Sequence, residues 1–76
     1  MINNQVCIKT KIIDIQKAGE STAVSFIDVN KRVWMIFYDR VGWLKYESGY
    51  DIGNEVDLLM SREQLEFLEI DYKEYE

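Results

Sequence analysis

Few side chains in this chain have the types and spacing that support chemistry. There is no histidine, which removes imidazole as a general base, as the activator of a serine or cysteine nucleophile, and as a metal ligand. Cys7 is the single cysteine. It cannot form an intramolecular disulfide or build a structural zinc site without histidine, and in the run Val6-Cys7-Ile8 it is expected to be a small buried hydrophobe. Asp51, Asn54, Glu55 and Asp57 lack the spacing and turn glycine of a calcium loop. Gly42, Gly49 and Gly53 are isolated, with no Lys-Ser/Thr pair behind them to make a phosphate loop. Asp28 draws notice as an acid/base candidate on the core parity of a hairpin, but an aspartate at a hairpin end commonly bonds turn amides, and that role is expected here. No catalytic residue, metal site or cofactor is predicted, and the chain is expected not to be an enzyme.

The remaining candidates act by contact. Thr22 to Tyr38 reads as two β-branched and aromatic strands joined by a polar turn at Asn30-Lys31. Loops of two residues, or of four from Val29 to Arg32, give the same facing: Val24 opposite Phe37, Phe26 opposite Met35 and Asp28 opposite Val33 on the core side. Trp34, Ile36 and Tyr38 then point outward with Ile27, beside Lys31 and Arg32 and near the outward Lys9 and Lys11. An odd loop reverses this facing. As a contact surface, these seven residues are the predicted partner-binding set; cross-strand pairing for the lysines and cover by the C-terminal segment for Trp34 are the structural alternatives.

The elements that must hold this surface follow from hydrophobic period. Val6 to Lys17 is a long first strand whose apolar parity changes at Ile12-Ile13, which predicts a bulge there. The turn Ala18 to Ser21 pairs it with the second strand, Ile15 opposite Val24 and Ile13 opposite Phe26. Asp39 caps a short helical piece through Leu44, ended by Gly49, with Val41 and Leu44 on one side. Val56, Leu58 and Met60 alternate with Glu55, Asp57 and Leu59 in a fourth strand. Beyond it, Leu68, Ile70 and Tyr72 alternate with acidic residues and predict a closing strand. Ser61-Arg-Glu-Gln64 matches a capping box, so a C-terminal helix from Arg62 is the alternative.

Seventy-six residues with 47% hydrophobic and 13% aromatic content make one domain, 1–76, with enough apolar surface for a core. The net charge is −5, with a sequence pI near 4.6. Residues 1–50 hold seven Lys/Arg and five Asp/Glu, while residues 51–76 hold two and nine, so the chain has an acidic end built from Glu63, Glu66, Glu69, Asp71 and Glu74 among others. That balance disfavours attraction to phosphate backbones and anionic lipid. The opening residues carry no basic and apolar leader pattern, and no apolar run is long enough to span a bilayer, so a reducing cytoplasmic setting is expected.

Long bulged strand, hairpin, short helix, strand and closing strand is the order of the OB fold. The chain resembles it at Phe26-Ile-Asp28, at Val33 to Phe37, at Gly53-Asn-Glu-Val56 and at Leu65 to Ile70. The resemblance implies a mainly β protein, a small five-stranded OB-like or SH3-like barrel with one short helix between strands three and four; α+β with the C-terminal helix is the alternative. It also implies that ligands lie across strands two and three. Three functions fit: a module that binds another protein as an adaptor, an acidic inhibitor of a basic or nucleic-acid-binding partner, and a single-stranded nucleic-acid binder stacking bases on the hairpin aromatics. Charge ranks a protein partner first and nucleic acid last.

Overall fold

Alternation of apolar residues in β1 (Gln5–Ala18) places Val6, Ile8, Thr10 and Ile12 on one face of a sheet. The computed structural model describes residues 4–76; Met1 to Asn3, part of the opening segment considered above, lie outside them. The register of β1 against β2 (Ser21–Asp28) slips between Ile12 and Asp14, so Ile13 is the extra residue and Ile15 returns to the inner face opposite Val24. The bulge is where the parity change puts it, and it makes Ile12, not Ile13, the partner of Phe26. A bulge of this kind lets one strand keep its apolar residues inward on both sides of a bend.

The protein is mainly β: an open antiparallel sheet of four strands in the order β3-β2-β1-β4, with two short helices. β3 is Val33–Tyr38 and β4 is Glu55–Ser61. The N-terminal half of β1 pairs with β4 from Gln5 to Lys11, and Thr10 to Ala18 pair with β2. The core sits on one face, where Val6, Ile8, Ile12, Val24, Phe26 and Leu58 meet Trp43 from α1 (Arg40–Leu44) and Leu65 from α2 (Arg62–Phe67). Asp39 caps α1 as expected, its side chain accepting from the Gly42 amide at 2.6 Å. The helix runs through Leu44 as expected, with turns continuing to Gly49, and it buries Trp43, whereas Val41 and Leu44 are exposed.

Two expectations are corrected. The segment after Ser61 does not return as a fifth strand. The capping box forms in full, with the Ser61 hydroxyl accepting from the Gln64 amide and the Gln64 side chain accepting from the Ser61 amide. α2 then stops in a Schellman arrangement: the Ile70 amide donates to Leu65 and the Glu69 amide to Glu66, with Glu69 at φ 61. The chain ends in a single 3-10 turn, Tyr72–Tyr75, laid across the inner face near β1. The helical alternative from Arg62 is therefore the one realised.

The second correction concerns the β2–β3 hairpin. Its loop is odd, three residues from Val29 to Lys31, and the pairs are Val24 with Ile36, Phe26 with Trp34, and Ala23 with Phe37. Two amides, those of Asn30 and Arg32, donate to one Asp28 carboxylate oxygen at 2.9 Å each, and the Lys31 amide donates to the Asp28 carbonyl. Those bonds hold Lys31 at φ 69, a left-handed conformation that costs a non-glycine residue about 1 kcal/mol or more. Every side chain of β3 is thereby turned to the face opposite the one expected.

Candidate interaction surface

Trp34, Ile36 and Tyr38 lie on the inner face, partly buried against the core. Trp34 Nε1 donates to Asp28 at 2.8 Å. Tyr38 joins Trp43, Tyr46 and Tyr50 in an aromatic cluster with ring centroids 5.0–6.3 Å apart. Burial, with the Tyr50 hydroxyl beside it, pushes the Tyr38 phenol well above its ordinary value. Of the predicted binding set these three thus serve packing.

The basic residues are partly engaged. Arg32 donates to the Tyr75 hydroxyl and to Glu74; Lys9 forms an exposed 3.9 Å pair with Asp57; Lys11 stands opposite Glu55 in the β1–β4 ladder. The cross-strand neighbours of Lys9 and Lys11 thus come from β4. Lys31 is exposed at the turn. A shallow groove brings Lys9 and Lys11 together with Asp28, Glu55 and Asp57 beside Ile27 and Val29, so two cations meet three anions. Glu63, Glu66, Glu69 and Asp71 are exposed, with no ion pair among the described residues, while Glu74 is tied to Arg32. Cys7 is exposed, a further correction, because the even residues of β1 take the inner face.

Asp28 is the centre of a polar cluster. It is only 5% exposed. Besides the two turn amides it accepts from Trp34 Nε1 and from the Tyr75 hydroxyl, which itself accepts from Arg32. Burial by itself would raise the carboxyl, but the donors Tyr75, Trp34, Arg32 and Asn30 together hold it below its ordinary value. The cluster joins the hairpin turn to the last turn of the chain. Its chemistry is that of a latch, since every Asp28 oxygen is occupied by donors from the protein itself.

The reversed hairpin brings a different set outward. Val33, Met35 and Phe37 are 54%, 57% and 70% exposed. In the ladder they lie beside Ile27, Ser25 and Ala23, and the exposed bulge residue Ile13 is on the next strand. The outer face thus runs from an apolar row at β3 to the Lys9, Lys11, Glu55 and Asp57 charges at β4, with exposed Leu59 and Cys7 beyond them. β3 is also the sheet edge. The Asp28 amide donates to the Arg32 carbonyl, and antiparallel ladders alternate, so Trp34, Ile36 and Tyr38 bond to β2 while the amides and carbonyls of Val33, Met35 and Phe37 face away from it. Among the described residues nothing bonds to those groups.

Sequence reasoning missed these three because Val33 to Tyr38 is apolar on both parities. The available signal was Asp28, whose carboxylate favours the odd loop. Comparison with family models, with curated proteins and with solved structures found no match. Among the described residues no cluster of three acidic or thiol groups could hold a metal ion, and no helix is long and apolar enough to cross a membrane.

Proposed function

We propose that this chain is a small acidic, non-enzymatic module that binds another protein, as an adaptor or as an inhibitor of a basic or nucleic-acid-binding partner, in a cytoplasmic setting. The observation that carries the reading is the row Val33, Met35 and Phe37, held outward and mostly exposed on the outer face of the hairpin. Rows of large apolar side chains on so small a surface mark contact sites. The position agrees with the OB-like resemblance, in which strands two and three carry the ligand, whether or not the sheet closes. The inward turn of Trp34 and Tyr38 and the engagement of Arg32 take away the stacking rings and one cation that a nucleic-acid reading needs.

The test is affinity capture with nuclease treatment, comparing the wild type with Phe37→Ala and Met35→Lys. Nuclease-resistant partners lost in both variants are expected, with melting temperatures of the variants near that of the wild type. Binding of mixed single-stranded DNA is expected to be weaker than about 10 μM near 0.15 M salt, because few phosphates can be neutralised against a net charge of −5. Partner capture unaffected by either substitution overturns the reading.

A further inference from the structure

We infer that the β3 edge pairs with the β3 edge of a second copy of this chain, antiparallel about a two-fold axis at Met35, giving a continuous eight-stranded sheet. The inference rests on the outer face of the hairpin being the binding surface, and names what meets it at its margin.

Three observations converge. Natural sheets protect their edges with charges, prolines, bulges or covering segments. Val33 to Tyr38 holds no charge and no proline, its register with β2 is unbroken, and among the described residues nothing bonds to its outward amides and carbonyls. Next, the edge is complementary to itself. With Met35 opposite Met35, Val33 of each copy lies opposite Phe37 of the other, so the residues whose amides and carbonyls face outward meet one another and all of those groups find partners. The outer side of the seam is then apolar throughout, and on the inner side Trp34 lies opposite Ile36. Finally, the flanking charges agree with this register. It brings the hairpin turn of each copy, with exposed Lys31 in its left-handed conformation, alongside exposed Asp39 of the other, whose backbone is still extended at φ −76 and ψ 177. Moving the seam by one residue, to Ile36 on Ile36, puts Arg32 opposite Arg40 and loses that match. The acidic β4 lies at the far edge of the sheet from the seam.

Self-pairing doubles the row of Val33, Met35 and Phe37 on one side of a single sheet. That gives the apolar surface an extent which one copy lacks.

Sedimentation equilibrium over about 1 to 500 μM, with amide exchange at both ends of the range, tests this. The expected result is a monomer–dimer equilibrium with protection gained on concentration at Val33, Met35 and Phe37. Met35→Lys brings two ammonium groups together at the axis and is expected to leave only monomer. Lys31→Glu, which sets like charges against Asp39, is expected to weaken the dimer about tenfold or more. Adding Asp39→Asn, which keeps an Asn cap on α1, should recover part of that loss. Neither change touches the outer apolar row, so partner capture by Lys31→Glu, at concentrations where its weakened dimer has dissociated, separates failure of self-pairing from failure of the binding-module reading. A monomer at every concentration overturns the inference, as does a dimer without new protection at those three amides or one indifferent to Lys31→Glu.

Discussion

Asp28 shows how much of this fold one carboxylate arranges. It sets the parity of the hairpin loop, orients Trp34 and anchors Tyr75. Asp28→Asn keeps the shape, but puts an amide donor where two donors already point, and is expected to cost about 2 to 3 kcal/mol at pH 7 by urea denaturation. The sign of its pH dependence follows from the lowered carboxyl. A group whose pKa is lower folded than unfolded contributes stability that is fully present above the unfolded value, near 4, and is lost as pH falls through the folded value. The stability gap between wild type and Asp28→Asn should therefore be widest near neutrality and shrink below about pH 4. A gap that is constant across that range would mean that the charge is not what the donors recognise.

At the level of elements, legibility followed local signals. β1 with its bulge, β2, β4 and the Asp39 cap were readable because their apolar residues alternate or their capping residue is explicit. The facing of β3 was not, since Val33 to Tyr38 offers an apolar set on either parity and the decision lies in the left-handed Lys31. The tail was ambiguous because α2 has only six residues and turns off at Glu69, where a glycine would have announced the end. The facing of Trp34, Ile36 and Tyr38 was the hardest to read, because it depended on one loop residue. The corrected register makes a sharp contrast. Phe26→Ala is expected to cost about 3 to 5 kcal/mol, as a fully buried ring does. Trp34→Ala is expected to cost about 2 to 4 kcal/mol, through lost packing and one donor fewer at Asp28. Phe37→Ala should cost less than about 1 kcal/mol. Equal losses at Phe26 and Phe37 in denaturant melts would restore the even-loop facing.

Across the whole molecule, exposed apolar side chains fall in more than one place: the β3 row, and Leu59, Phe67 and Leu68 on β4 and α2. Glu63 and Glu66 lie on α2, which packs on β4 at the edge of the sheet opposite β3, whereas the tail crosses to the hairpin turn, where Glu74 pairs with Arg32. Composition revealed the acidic end of the chain; only the fold shows it divided between those two places. Exposed charges farther apart than about 8 to 10 Å are largely screened at physiological salt, so the net charge of −5 acts mainly through the acids nearest any given surface.

The division of β1 between two neighbours also sets an order in time. Among the described residues only Thr10 and Lys11 have ladder partners on both sides. Strands β1 to β3 close through loops of two and three residues, whereas β4 must find β1 across a separation such as the 46 positions between Thr10 and Val56. Because the entropy of loop closure has to be met before distant contacts form, the meander should assemble first and β4 with α2 last. For a time the arm Gln5 to Lys9 would then stand without a neighbour, its Val6 and Ile8 uncovered. Substitutions at Val24 and Ile36 are expected to slow folding, with φ-values above about 0.5, while Leu58→Ala mainly speeds unfolding, with a value near 0. The reverse pattern would mean that the long closure comes first and that the arm is never left open.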